Sequence, residues 1–321
     1  MPPQAQMQRI PLPRIVWDDL RFRLSPLPPA ATAAAKPELA ASLKRLGLLL
    51  PPLLWPAAEG WLVVDGHCRL RLAARLLAPA SVDALVLADE VAEGAALAVA
   101  LEALRARRRP TPMEAAIFCH RMLSFLSARE IAQRFLPGLG MAPTPLMVKR
   151  LSRLATIEEP LAAAIQQGRL QETVAHELLE LTPPERLSLF TLIDTLRLSV
   201  GNQKKLLSSC RELAGRQQTT VCEVLDTAEI REILAHPTMN PPQQSAALLE
   251  HLNTRRFPRL TAAQKEFDEF RRKLALPANY QLEPTPSFED DQLRLTITLP
   301  DRQSLLSTIS LILPKDVPDD E

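Results

Sequence analysis

One helix-start signature recurs along this chain, at Thr111-Pro112-Met113-Glu114, Ser127-Ala128-Arg129-Glu130, Thr182-Pro183-Pro184-Glu185 and Thr261-Ala262-Ala263-Gln264 among other places. In each, a hydroxyl is placed to accept from the third amide of a helix while the Glu or Gln three places on returns a bond to the cap amide. Proline follows the cap in two of them, where its missing N–H costs nothing. Leu126 and Ile131 bracket the Ser127 start as a hydrophobic staple. Aromatic residues make up only 4% of the chain, with Tyr280 the single tyrosine, and leucine and alanine dominate. That balance favours helix on helix over sandwiches or barrels, so most of the chain is predicted helical.

The first hundred residues read differently. Residues 8–24 mix β-branched residues with prolines and predict a short edge strand and an extended segment, followed by a Pro/Ala linker at 25–36. Pro37 to Gly47 is an amphipathic helix by its Pro-Glu start, its apolar Leu39, Leu43 and Leu46, and its terminal glycine. Leu53–Trp55 and Trp61–Val64 flank an Ala-Ala-Glu-Gly turn and predict two strands; Val82–Leu87 predicts a third, and Glu90–Arg108 a helix. At the far end Leu293, Leu295, Ile297 and Leu299 alternate at strand period, with a short helix expected around Leu305. That strand offers an edge for pairing across a dimer. No repeat of solenoid period is present.

A chain of 321 residues exceeds one small core. The expected division is 1–109, 110–279 and 280–321. The most apolar stretch, Leu46–Ala58, is broken by Pro51, Pro52 and Pro56, and no membrane span is expected. The N-terminus has no apolar core after a basic start, as a secretory signal requires. Cys68, Cys119, Cys210 and Cys222 form neither a C-x-x-C pair nor a disulfide framework, which fits a cytoplasmic protein. The net charge of +1 conceals an asymmetry. From Arg105 to Ile157 ten basic residues face two acids, whereas from Glu283 to the end nine acids face three basic residues.

The segment Val63-Val64-Asp65-Gly66-His67-Cys68-Arg69-Leu70-Arg71 ends a strand, turns on glycine and opens a helix. Unpaired amides and the positive end of a helix dipole favour an anion there, and Arg69 and Arg71 add bidentate donors for phosphate. The other reading is a surface helix with solvated arginines and with Leu70, Ala73, Ala74 and Leu77 turned inward; pattern alone leaves the two open. Cys68, near a helix start and beside arginines, sits in a setting that favours reactivity, against the reading of a small packing residue.

The run DGHCRLRLAA resembles the glycine-arginine box of the ParB family and of the wider ParB/sulfiredoxin superfamily. The surroundings keep the family's order. RIPLPRI resembles its opening strand, Phe22-Arg23 its first box, and ELAASLKRLGLLLPPLLW the helix and strand before the glycine. ALEALRARRRPTPMEAA resembles the segment after the box, and LSAREIAQRF with VKRLSRLATIEEPLAAAIQQGRLQETVAHELLEL its helix-turn-helix and the helices behind it. The resemblance covers roughly residues 8 to 200.

It implies an α+β N-terminal ParB/sulfiredoxin-like domain, an all-α middle domain with a helix-turn-helix, and a small C-terminal β-containing element. It also implies CTP bound with magnesium, with Gly66, His67, Arg69 and Arg71 on the phosphates and Glu102 in the position of an acidic catalytic residue. Two departures, Cys68 for an arginine and Ala103 for a metal-linked asparagine, remove a phosphate donor and an oxygen ligand, so binding or hydrolysis is expected to be weakened. Sulfiredoxins carry Gly-Cys-His-Arg, and here the cysteine is displaced by one place.

For double-stranded DNA, the resemblance makes Ser127–Phe135 the first helix of the motif, with Ser127 and Arg129 at its start. Thr144-Pro145 caps the second, which carries Lys149, Arg150 and Arg153 toward the major groove. Arg107, Arg108 and Arg109 are expected on DNA phosphates, since a run of arginines carries no base code. The linker LPGLGMAPTP is longer than the usual turn. The implied protein is a bacterial, nucleoid-associated homodimer acting in plasmid or chromosome partition or in transcription control, with a partition ATPase as a partner. At most a weak, CTPase-like nucleotide triphosphatase activity is expected; the alternatives are a nucleotide-using enzyme of the superfamily, a phosphotransferase or sulfiredoxin-like ATPase, and a scaffold that has lost both nucleotide and DNA binding.

Overall fold

The computed structural model describes residues 4–28, 37–285, 288, 292–301 and 303–305. Its front part is a five-stranded mixed sheet in the order β1-β5-β3-β4-β2, built from β1 (Ala5–Pro11), β2 (Ile15–Val16), β3 (Leu53–Ala57), β4 (Gly60–Asp65) and β5 (Ser81–Leu87). β1 pairs antiparallel with β5 and lies at an edge, where Pro11 breaks no central ladder. β3 runs parallel to β5 and antiparallel to β4, and β2 pairs parallel with β4. Gly60, at φ +147°, has no substitute in the β3–β4 turn: a Cβ would lie 2.2 Å from the carbonyl oxygen of Arg14.

Helices cover both faces of this sheet. Strand period alternates β4, so that Val63 packs with Ile10, Leu54, Val86 and Leu70 of α2 (His67–Leu77). Its neighbours Leu62 and Val64 pack with Leu97 and Leu101 of α3 (Glu93–Arg105). A helix α1 (Pro37–Leu46) ends at Gly47 in the expected left-handed conformation and lays Leu43 on Leu72 and Ala73 of α2. Cys68 is half-buried in that small cluster. The second face does not stop at α3. One contiguous set of buried side chains runs from Phe22 and Leu24 through Leu101, Phe118 and Leu151 to Leu252, across residue 109.

Behind the sheet come α4 (Pro112–Met122), α5 (Ala128–Arg134), α6 (Pro145–Leu154), α7 (Glu159–Gln166), α8 (Glu172–Leu178) and α9 (Pro183–Thr195). They are followed by α10 (Val200–Gln217), α11 (Val221–Leu225), α12 (Ala228–Ala235), α13 (Pro241–Arg256) and α14 (Pro258–Leu274). The boxes at Thr111, Ser127 and Thr182 each cap a helix as expected. The box at Thr261 does not. Helix α14 is already under way from Pro258, and the Thr261 hydroxyl donates back to the carbonyl of Phe257 at 3.0 Å. Two further boxes, Thr220 with Glu223 and Asn240 with Gln243, start α11 and α13.

The terminal strand is one half of an antiparallel hairpin, β6 (Tyr280–Pro284) with β7 (Leu293–Ile297), so Leu299 falls outside it. The helix expected around Leu305 lies largely outside the described residues, as do residues 29–36 of the expected linker. α3 ends at Arg105 rather than Arg108, and the amides of Arg107 and Arg108 both donate to the carbonyl of Leu104 in the turn that follows. Among the described residues no helix is long and apolar enough to cross a membrane.

Candidate functional site

Gly66 sits at φ +93° and begins α2 without a side-chain cap of its own. This end of α2 opens on a cavity of about 710 Å3 between the sheet, α3 and the α4 start. Arg23, Asp65, His67, Arg69, Arg107 and Glu114 all contribute to its wall. The other wall is apolar, with Phe22, Leu24, Leu39 and Leu104 among its side chains.

The charges here are arranged in pairs with an excess of cations. Arg107 grips Asp65 with both terminal nitrogens, Nη2 lying 2.6 Å from Oδ1, and Arg69 Nη2 approaches Oδ2 at 3.3 Å. Arg108 forms the same kind of fork with Glu114, at 2.6 and 2.8 Å, while that carboxylate also accepts from the Thr111 amide to complete the α4 cap. Both carboxylates are thereby spoken for. Arg23 is 8% exposed, and burial, with Arg71 and Arg121 nearby, pushes its guanidinium down to about 10. His67 is pushed down to about 4 by burial and by the charge of Arg23, against a small opposing pull from Asp65. It is therefore neutral at pH 7. Its Nε2 and the Nε of Arg69 are buried without a hydrogen-bond partner. Two orphaned nitrogens at an uncapped helix start fit an anionic ligand.

The residues expected on the phosphates do not all converge. Gly66, His67 and Arg69 line the cavity, but Arg71 turns away to donate to the carbonyl of Trp17 and lies over that indole, 5.4 Å from its centre. The solvated-arginine alternative does not describe this helix either. Arg69 is only 19% exposed, and Leu77, which that reading turned inward, is exposed. Glu102 points away from the cavity. Its side chain is 58% exposed and pairs with Arg105, and it lines a separate surface depression with Arg109, Gly138 and Gly140. Ala103, beside it, has no side-chain oxygen to offer a metal. The residue that sequence reasoning passes over is Arg23, whose only signal is its place in the Phe22-Arg23 box.

Below the cavity, α4, α5 and α6 pack on one another through Phe118, Ile131, Phe135, Val148 and Leu151. The long α5–α6 linker is absorbed by a short 3-10 turn, Pro137–Leu139, and by Gly140 in the left-handed region. Thr144 caps α6, its hydroxyl accepting from the Met147 amide at 3.2 Å. Lys149 and Arg150 are exposed on α6, and Arg129 is exposed at the start of α5. Ser127 is occupied by its own cap, its hydroxyl bonded to Glu130 at 2.6 Å. Arg153 is drawn to Glu180 and to the carbonyl of Leu179. Of the three consecutive arginines, Arg107 and Arg108 hold carboxylates of the cavity, and Arg109 lies beside Gly140 in the α5–α6 linker.

No protein-family model matches the sequence, and no curated protein matches it. Among solved structures the chain is similar to the C-terminally truncated chromosome-partitioning protein ParB from Caulobacter crescentus complexed to the centromeric parS site. The identity is 19% and the TM-score 0.27, over 63% of this chain and 97% of that one. It is also similar to the same truncated protein complexed with CTP-gamma-S, at 18% identity and TM-score 0.26, over 59% and 98%.

Proposed function

We propose that this chain is a ParB-like DNA-binding protein of plasmid or chromosome partition, or of transcription control, whose α2 cavity takes a nucleoside triphosphate. The observation that carries the reading is the cation-rich cavity at the uncapped start of α2, where Asp65 and Glu114 are already neutralised and two buried nitrogens lack partners. CTP is the nucleotide that the resemblance implies, held by the α2 amides, His67 and Arg69, with Arg23 behind them. Since both pocket carboxylates are taken by arginines, a magnesium ion would arrive with the nucleotide and keep much of its water. Turnover is weak or lost, because Glu102 faces away and position 103 is alanine.

The DNA surface in this reading is Arg109, Arg129, Lys149 and Arg150, with α6 in the major groove. Ser127, Arg107, Arg108 and Arg153 serve the fold first. The division into 1–109, 110–279 and 280–321 belongs to the same proposal, as do a homodimer matched to a two-fold site, a partition ATPase as partner and a place on the nucleoid. Calorimetric titration with CTP, ATP and GTP plus magnesium tests it, repeated on Arg69→Ala and Arg23→Met. Selective CTP binding lost in both variants supports the reading. If no nucleotide and no duplex DNA binds, the scaffold alternative replaces it.

A further inference from the structure

Helix α6 turns Val148, Leu151 and Leu154 fully inward. Its opposite face carries Leu146, Lys149, Arg150 and Arg153, spaced to form one stripe along the helix. Leu146 is 76% exposed, more than any other large hydrophobic side chain among the described residues, and it belongs to none of the buried clusters. Its position is well defined: Thr144 caps the helix and Pro145 occupies the first turn, so Leu146 projects from a fixed start. An exposed leucine beside two exposed cations suits a surface that is polyanionic yet offers an apolar point of contact. The thymine C5-methyl is the apolar feature of the major-groove edge, and the first residues of a recognition helix are those that reach base edges.

We propose that Leu146 reads a thymine methyl group, with Lys149 or Arg150 one turn further along on the O6 and N7 of a nearby guanine. The target site would then contain a thymine and a guanine within each half-site. This rests on the DNA-binding reading above, and it adds a base preference to a surface otherwise equipped only for phosphates.

The test uses the full chain and a pool of duplexes with a randomised centre, enriched at low salt. The enriched duplex is then remade with deoxyuridine in place of each thymidine in turn, which deletes one methyl group and alters nothing else in the pairing. One position in each half-site is expected to lose affinity about four-fold, the worth of one methyl taken out of water. Leu146→Ala, a substitution at an exposed site, should bind the parent duplex that much more weakly and be indifferent to the replacement. Enrichment of a site that tolerates uracil everywhere, or an unchanged uracil penalty in Leu146→Ala, overturns the inference and leaves DNA binding intact. Retention of no duplex at low salt overturns the DNA-binding reading itself.

Discussion

Arg107 holds Asp65 through both of its terminal nitrogens although the two are separated by 42 residues in sequence. The pair ties the last residue of β4 to the connection between α3 and α4, and so fixes the mouth of the cavity to the first helix behind the sheet. Burial raises the Asp65 carboxyl, but hydrogen bonds from Arg107 and the charges of Arg107 and Arg69 outweigh it and hold the group below its ordinary value. A carboxyl lowered in the folded state contributes stability that is present above its unfolded pKa of about 3.9 and is lost as pH falls through the folded value. Asp65→Asn should therefore lack that acid-limb loss. Urea midpoints measured between about pH 5 and about pH 2 check this: a variant curve parallel to wild type would sink it.

His67 titrates with the opposite chemistry and the same direction of effect. Its folded value of about 4 lies below its ordinary 6.5, so between these limits the unfolded chain binds the extra proton and acidification destabilises the fold. His67→Gln should flatten stability across that window. An anion bound at the α2 start should raise the His67 midpoint, which the imidazole carbon-bound proton resonance reports directly.

Three cations on α6 should separate by their partners. Of Lys149→Ala and Arg150→Ala, the one that removes a phosphate contact is expected to reduce the slope of log affinity against log salt by about 1, and the one that removes a guanine contact to relax the base preference at that position. Arg153→Ala should leave the slope unchanged, because its guanidinium is already bonded to Glu180 and the Leu179 carbonyl. Filter or anisotropy titrations over a salt series distinguish the cases.

Arg121 of α4 donates from one nitrogen to the carbonyls of Leu20, Arg21 and Arg23 at 3.1, 2.8 and 2.7 Å, pinning the segment that carries Arg23. Arg121→Met strips those acceptors of their donor and should cost on the order of 1–3 kcal/mol. The urea midpoint should fall at unchanged slope, and nucleotide affinity should fall with it because Arg23 is no longer held.

The helices behind the sheet, and the strand, glycine and helix of the site, are legible in the sequence because each is local: a cap needs four residues and a strand needs alternation. Thr261 shows the limit of that reasoning. Its box is complete, yet Pro258 three residues earlier has already begun α14. The arginine run shows another. As letters Arg107, Arg108 and Arg109 are three equal charges, and only tertiary closure assigns the first to Asp65, the second to Glu114 and the third to the α5–α6 linker. Motif alignment sets Glu102 and Arg71 at the pocket, whereas the helix turn on which each falls sends one to solvent and the other to Trp17.

The unbroken set of buried side chains from Phe22 to Leu252 carries a consequence for how the chain is made. Synthesis delivers the five strands first, at about 5–20 residues per second, but Phe22, Leu24 and Val64 find their full complement of neighbours only when Met113, Ala116 and Phe118 have emerged. A chain cut near residue 109 would keep α3 against the sheet but leave Phe22 and Leu24 without the α4 side chains that complete their cluster. The front and the middle of the molecule share apolar surface across residue 109, so a cut there would expose side chains on both sides of it.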